Sequence, residues 1–382
     1  MWKFLPFALK NVWRNRRRTV LTVLSVSVSL FLLGTLIAIY FAFYHREGPP
    51  EEALRMATRH RVSLTFPLPE FYSARIRQVP GVTKVCRASW YGGVYIDRRP
   101  EHNFPRFAVD ADQIFDIRPE LKVAPDQRAA FERERTAAAV GRTLAGSAGF
   151  QLGQKITLRG DIYPGNLELT IRAIFEGDND AVLYFRRDYL EEGLPQTRRG
   201  WTGIVWSMAA SPGAVPRVAA AIDEMFRNSP QQTKTESERA FQLSFVSLLG
   251  NVKLILLSIC SAVTFAILLV AANTMAMSVR ERIREVGVLK TLGFTTGMVL
   301  AVIVGEAVLI ALSGGLIGCL LSAGAIHWVA KTPVFFVQGM RMPAAALAIN
   351  LGVALLIGLA SSLAPAWNAA RLPITEALRH TG

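Results

Sequence analysis

Four long apolar runs limit what this chain can fold into more than any other feature of the sequence. They cover residues 19–44, 254–277, 298–328 and 344–364, and only the third contains ionisable groups, Glu306 and His327. Each run reaches or exceeds the about 20 apolar residues that a helix needs to cross a bilayer core. With 51% hydrophobic residues and a mean hydropathy of +0.29, the chain is also more apolar than is usual for a soluble protein. The sequence therefore predicts an α-helical membrane protein with four transmembrane helices.

The placement of charge predicts the orientation of these helices. Residues 1–18 carry six basic groups and no acid, 280–294 carry four basic groups and two acids, and 366–382 carry two basic groups and one acid. Region 45–245 is nearly neutral, with 28 basic and 25 acidic residues. Basic segments beside membrane helices stay in the cytoplasm. We therefore expect both termini and 280–294 inside and 45–245 outside. Because this arrangement accounts for the net charge of +14, we expect no nucleic-acid partner.

The predicted layout places one helix before a large extracytoplasmic domain and three helices after it. In chain order it comprises a cytoplasmic or interfacial amphipathic segment (1–18), helix one (19–44), the extracytoplasmic domain (45–245), a stalk extension with helix two (246–279), a cytoplasmic coupling helix (280–294), helix three (297–330), helix four (344–365) and a cytoplasmic tail (366–382). Segment 1–18 suits either a helix lying in the membrane interface or a basic flank that orients helix one.

The extracytoplasmic domain is predicted to be mixed α/β. Alternating residues predict strands at 82–90, 154–160 and 167–177, whereas spacing typical of helices marks 136–149 and 216–228. From about residue 235 to 279 the chain has no proline and one glycine, so we expect one long helix that continues outward from helix two. Such a helix is a stiff rod able to carry motion, or else an ordinary helix packed on the domain.

No sequence motif of an enzyme, a metal site or a nucleotide site is present. The chain contains no Gly-Lys pair and hence no P-loop, and it lacks G-x-S-x-G, H-E-x-x-H and C-x-x-C. Three cysteines are too few for a disulfide framework. We therefore expect no catalytic residue, no cofactor and no metal, and an enzyme in 45–245 is the lowest-ranked interpretation.

The segment RERIREVGVLKTLGF, residues 280–294, is predicted to form a short amphipathic helix between helices two and three. Val279, Ile283 and Val286 recur on one side of it. Lys290 lies in the last turn, where it complements the helix dipole, and Gly293 suits the position after the helix end. Gly287 costs about 1 kcal/mol relative to alanine in a helix, so close approach by another chain is one explanation for it. The alternative is a solvated connection between two membrane helices.

This segment resembles the cytoplasmic helix of ABC transporter permeases of the FtsX/MacB type. The tail APAWNAARLPITEALR (364–379) is similar to the closing pattern of that family, and AAVGRTLAGSAGFQLGQKITLRG (138–160) resembles part of a MacB-like periplasmic core domain. The resemblance covers the whole layout of one span, an outer domain and three spans. It departs from the family at Gly48-Pro49-Pro50, which would interrupt a stalk continuing from helix one.

The resemblance implies a permease subunit of the bacterial inner membrane, driven by a separate ABC ATPase that docks on the cytoplasmic helix. It also implies a second permease, as homodimer or heterodimer, and mechanotransmission to the outer domain. The positions carried over are, for ATPase coupling, Arg280, Glu281, Arg284, Glu285, Val286, Gly287, Leu289, Lys290 and Gly293, and, for the cytoplasmic tail motif, Pro373, Glu376, Ala377, Leu378 and Arg379.

Two further features lie inside the predicted spans. Gly314, Gly318 and Gly324 form a small-residue surface for close helix packing, either within one subunit or between two. Glu306 lies about three turns into helix three, where a carboxylate is costly unless it is paired or hydrated. It is expected either to act at the cytoplasmic end of the helix bundle or to be a neutral or snorkelling side chain.

Three functions remain compatible with these observations. The first is export, extraction or mechanical movement of a lipid, lipoprotein, peptide or drug-like cargo, with a periplasmic adaptor or membrane fusion protein and membrane lipid as further candidate partners. The second is a signalling permease that activates an extracytoplasmic partner without transport. The third is a membrane-anchored binding or scaffold protein, which predicts no ATPase partner.

Overall fold

The computed structural model describes residues 16–45, 48–99, 102–163, 165–177, 180–248, 251–330 and 341–373. Its helices are α1 (Arg16–Tyr44), α2 (Phe71–Arg77), α3 (Ile114–Ile117), α4 (Pro125–Arg133), α5 (Arg142–Ala148), α6 (Arg187–Glu192), α7 (Val215–Met225), α8 (Glu238–Leu248), α9 (Val252–Glu281), α10 (Ile283–Thr291), α11 (Thr296–Val329) and α12 (Ala344–Arg371). Its strands are β1 (Arg55–His60), β2 (Leu68–Pro69), β3 (Val82–Trp90), β4 (Gly93–Tyr95), β5 (Arg106–Val109), β6 (Ala137–Gly141), β7 (Lys155–Gly160), β8 (Asn166–Phe175), β9 (Leu183–Arg186), β10 (Trp201–Thr202), β11 (Ile204–Ala209) and β12 (Thr233–Ser237).

Two compact units divide these elements. The membrane unit contains α1 and α9 to α12, and the inter-span domain contains β1 to β12 and α2 to α8. Within the described residues, four helices are long and apolar enough to cross a membrane: Thr19–Ala42, Val252–Glu281, Thr296–Val329 and Ala344–Arg371. The predicted fold class, four transmembrane helices with a large α/β domain between the first and the second, is confirmed.

The inter-span domain is built on one large mixed sheet. Its strands lie in the order β12-β1-β11-β3-β5-β9-β6-β8-β7-β4, and β2 and β10 form a separate pair. Neighbouring strands are antiparallel except for β5 with β9 and β6 with β8. Burial follows position in the sheet. In β7, near one edge, Ile156 and Leu158 are buried while Lys155 and Thr157 are exposed, whereas all five residues of β6 are buried.

The prediction of a helix over 136–149 is therefore half wrong. Ala137–Gly141 forms β6, and the helix α5 begins only at Arg142. Alanine favours helices in isolation, but β6 lies between β8 and β9 with both faces of the sheet covered. Small side chains fit that position, so tertiary packing overrides the local preference.

The prediction of one continuous helix from about 235 to 279 is wrong. Residues Thr233–Ser237 pair with β1 as β12, and α8 ends at Leu248. Asn251 then caps a new helix, because its side-chain oxygen accepts a hydrogen bond from the Leu254 amide at 3.1 Å. Asn251 marks the start of α9, so the predicted rod is divided into two helices.

Close contacts at glycines hold the membrane unit together. A Cβ atom on Gly318 would lie 3.0 Å from Leu30 Cβ and from the Ser27 carbonyl oxygen, and one on Gly314 would lie 2.7 Å from Val26 Cγ1, all on α1. Gly324 is exposed, with no atom within 4 Å of such a position. Two of the three glycines predicted to form a packing surface thus contact α1 of the same chain, and the third does not.

Candidate functional site

The segment predicted to couple the chain to a partner forms a short helix between α9 and α11. Arg282 separates α9 from α10, and Glu285 lies in the first turn of α10 while Lys290 lies in its last turn. Both charges complement the helix dipole. The helix is shorter than the predicted 280–294, because Arg280 and Glu281 belong to the end of α9.

Gly293 ends α10 in a Schellman motif. Its φ angle is +90°, in the region that favours glycine. Its amide donates a hydrogen bond to the Lys290 carbonyl, and the amide of Phe294 donates one to the Leu289 carbonyl, both at 3.1 Å. The chain consequently reverses sharply into α11, and the direction of α10 is determined by backbone hydrogen bonds.

The inner face of α10 packs on the neighbouring membrane helices. Val286 is 5% exposed and joins a cluster with Val299 of α11 and Ala370 of α12. Gly287 is also buried, and it lies on this same side of the helix. Gly287 is therefore covered in the described structure, on the side of α10 that carries Val286.

A polar contact joins α10 to the end of α12. The Lys290 ammonium donates a hydrogen bond to the carbonyl oxygen of Leu372 at 2.6 Å. Leu372 is the C-cap residue of α12, and Pro373 of the predicted tail motif follows it and is exposed. The remaining tail positions, Glu376, Ala377, Leu378 and Arg379, lie outside the described residues, as do residues 1–15 of the predicted amphipathic segment.

An ion pair joins the start of α10 to α11. Arg282 Nη1 lies 2.6 Å from Glu306 Oε2, and the two side chains are 16% and 9% exposed. Sequence reasoning recognised that Glu306 needs a partner but did not assign one. Arg282 was one candidate for this partner, because it is a basic residue at the junction of two helices. However, 280–294 contains four basic residues, and the sequence does not show which of them pairs with Glu306.

The outer face of α10 presents a mixed charged and apolar surface. Arg280, Glu281 and Arg284 are exposed, as are Val288 (47%) and Leu292 (72%). Glu285, Leu289 and Lys290 are half-buried. Residues 284, 288 and 292 recur every four positions, so they form a stripe along the helix. A stripe that joins one cation to two exposed aliphatic side chains suits contact with another protein.

Potential metal ligands do not cluster among the described residues, where no group of three or more occurs. In the inter-span domain, burial raises the pKa of the Cys86 thiol far above its usual value, and the charge of Asp110 raises it further. That thiol is therefore unreactive, which is consistent with a packing role.

Comparison with solved structures and known families places these features in context. The chain is similar to the crystal structure of the periplasmic region of MacB from Actinobacillus actinomycetemcomitans, with a TM-score of 0.38 and 9% identity, over 52% of this chain and 95% of that one. Residues 241–374 match the family model described as FtsX-like permease C-terminal.

Three curated relatives share parts of the sequence. The macrolide export ATP-binding/permease protein MacB of Chlorobaculum tepidum is 36% identical over 28% of this chain, which spans only 16% of that relative's length. The ABC transporter permease YknZ of Bacillus subtilis is 33% identical over 35% of this chain and 34% of its own length. The ABC transporter permease MJ1507 of Methanocaldococcus jannaschii is 21% identical over 98% of this chain and 97% of its own length.

The family match covers α9 to α12, the elements that contain the candidate site. The match to MJ1507 extends over nearly the whole length of both chains. Residues 241–374 thus form an FtsX-like permease C-terminal domain, and the chain is a multi-pass membrane protein with homology to the ABC transporter permeases MacB and YknZ.

Proposed function

We propose that this chain is a permease subunit that couples ATP hydrolysis by a separate ATPase subunit to movement of the inter-span domain. The ATPase docks in the cytoplasm on the outer face of α10, at Arg284, Val288 and Leu292. The charge distribution supports this orientation, with both termini and α10 inside and residues 45–245 in the periplasm or outside the cell.

The observation that carries this proposal is the way α10 is held. Its inner face packs on α11 and α12 at Val286, its last turn is bonded to the end of α12 through Lys290, and the preceding residue, Arg282, is paired with Glu306 of α11. A helix that merely connected two spans in solvent would need none of these contacts. Because α10 contacts both α11 and α12 and directly follows α9, force on its exposed face is passed to three membrane helices.

The absence of a P-loop from the given sequence supports the separate ATPase in this proposal. The printed name of the MacB relatives joins an ATP-binding and a permease function. In the proposed assembly, a separate ATPase subunit supplies the sequence motif that holds ATP phosphates.

A second permease subunit is the membrane partner that we propose. The described spans leave a groove of about 780 Å³ between α1 and α9, lined mainly by apolar side chains, with Arg17, Thr22, Ser25, Ser29 and Thr274 as its polar residues. These serines are four residues apart, and small residues at that spacing favour close helix packing in a membrane. The mass of the complex purified from native membranes, measured by light scattering, tests for one or two permeases.

Co-purification from native membranes in mild detergent tests the docking face. The wild-type chain is expected to bring a P-loop ATPase with it, and Arg284→Glu is expected to reduce the amount recovered at least about tenfold, since reversing a charge in a docking face costs 1.4 kcal/mol or more. Lys253→Glu is the matched control, because Lys253 is equally exposed at the opposite end of α9. Equal ATPase recovery with Arg284→Glu would rule out this face, and no ATPase with the wild-type chain would support a scaffold instead.

A further inference from the structure

Four charged residues of the inter-span domain, two of them buried and two half-buried, meet where the chain enters and leaves it. Arg55 is the first residue of β1, which follows α1 along the chain, and Glu238 is the first residue of α8, which precedes α9. Arg118 and Glu120 lie just after α3. We call these four residues the charge ring. Arg55 and Glu238 are only 1% and 2% exposed.

Hydrogen bonds between charged groups make three sides of the ring, and the ion pair between Arg118 Nη1 and Glu120 Oε1, at 3.6 Å, closes it. Arg55 Nε donates to Glu238 Oε2 at 2.5 Å, and its two terminal nitrogens each lie 2.8 Å from an oxygen of Glu120. Arg118 Nη2 donates to the other oxygen of Glu238 at 2.6 Å. Arg55 thus spans two carboxylates and Glu238 spans two guanidinium groups, which gives two positive and two negative charges in full compensation.

Apolar contacts surround the ring on the same elements. The 3₁₀ helix Pro50–Leu54, which leads into β1, contacts α8, and α8 also contacts β1 itself. Phe241 of α8 packs edge-on against Trp206 of β11 at 5.5 Å, and the Arg118 guanidinium lies over the same ring at 5.0 Å. The segment arriving from α1 and the segment leading to α9 are therefore packed on each other as well as bonded through the ring.

The carboxylate of Glu238 stays charged at neutral pH. Although burial alone would raise the pKa of Glu238, the nearby charges of Arg118 and Arg55 lower it below its usual value. A group with a lowered pKa in the folded state contributes its stability above the unfolded pKa and loses it only as the pH falls through the folded value. The ring is accordingly a permanent connection and not a pH-dependent switch.

We propose that Arg55, Arg118, Glu120 and Glu238 are positioning residues that lock the two attachments of the inter-span domain to each other. This inference rests on the proposed function, because it assigns the lock a role in passing motion from the membrane helices to the domain. Displacement of either α1 or α9 then reaches the domain through one joint. The pair of attachments cannot separate or slide independently.

Distance measurements between two spin labels test the lock in the full-length chain. Ala53→Cys in the 3₁₀ helix and Gln242→Cys in α8 are exposed sites that carry the labels, in a background without the native cysteines and in lipid nanodiscs. We expect one narrow distance distribution, unchanged by MgATP and the co-purifying ATPase. Glu238→Gln should lose the narrow peak, and the more accessible Glu120→Gln should do so with less risk to folding.

Glu236→Gln is the matched control. Glu236 pairs with Arg59 at 3.2 Å across the neighbouring strands β12 and β1, but it lies outside the ring. A wild-type distribution that is broad or that shifts with ATP would overturn the lock, as would a narrow peak retained by both ring variants. If no ATPase binds, the proposed function fails, but the distances in the resting protein still decide whether the attachments are locked.

Discussion

Different kinds of residue pack the interior of the membrane unit and the interior of the inter-span domain. In the inter-span domain, the core contains large aromatic groups such as Phe115, Phe131 and Phe175, each at most 4% exposed. In the membrane unit, helices approach each other closely at glycines such as Gly314 and Gly318. Large side chains thus fill the interior of the inter-span domain, whereas glycines let the membrane helices approach each other closely.

The difference follows from the surroundings of each unit. Burying an aromatic side chain away from water contributes a large hydrophobic free energy, so a domain in water gains from bulk. Between membrane helices this driving force is absent, because lipid tails are as apolar as the side chains, and close backbone approach contributes instead. Three substitutions test this comparison.

The largest expected effect is that of Phe175→Ala in the inter-span domain. Phe175 is fully buried, with its ring 5.9 Å from Phe115 and 5.5 Å from Tyr184. Truncation is expected to lower the free energy of unfolding of the domain by about 4 kcal/mol, because it removes transfer free energy and leaves a cavity. Hydrogen exchange at the amides of β6 and β8 in the full-length chain measures it. If hydrogen exchange were unchanged in both strands, β6 and β8 would not unfold cooperatively with the core around Phe175.

The next effect is expected at the ion pair of the membrane unit. Glu306→Gln removes the carboxylate that pairs with the largely buried Arg282, and we expect a loss of about 3 kcal/mol in the resistance of the membrane unit to SDS unfolding. The double variant Arg282→Met, Glu306→Leu should recover most of that loss, since no charge is then left unpaired. A double variant as unstable as Glu306→Gln would show that the ion pair itself stabilises the fold and does not merely avoid an unpaired charge.

The smallest effect is expected from adding volume between membrane helices. Gly318→Leu places side-chain atoms against α1 backbone atoms that cannot move aside, so we expect a loss of about 2 kcal/mol by the same SDS assay. Gly324→Leu is the control in the same helix, where the space is open. Equal losses at both glycines would mean that α1 does not pack against Gly318 in the membrane.

Local features were predicted well and long-range features poorly. The four spans, the strand at 82–90 and the helix that ends at Gly293 follow from short stretches read alone. The failures depend on neighbours distant in sequence. Ala137–Gly141 forms a strand because it pairs with β8 and β9, and residues 235–237, predicted to begin a long helix, belong to a strand because β12 pairs with β1.

The candidate site shows the same division. Its short helix, its apolar side and its glycine stop were predicted, because helical periodicity and the φ preference of glycine act within a few residues. The ion pair between Arg282 and Glu306 and the bond from Lys290 to Leu372 join residues 24 and 82 positions apart. Which charge meets which carboxylate depends on how the helices pack, and no spacing rule specifies that.

The sequence by itself determined that four segments cross a membrane around one large domain, because the apolarity of about 20 consecutive residues decides membrane crossing without reference to the rest of the chain. Only the tertiary structure decided how the charges are paired. Arg55 and Glu238 lie 183 residues apart, and they meet because β1 and β12 pair in one sheet. Such contacts depend on which distant segments of the chain meet in the fold. Long loops can close in many ways, and no short stretch of the sequence specifies which of them occurs.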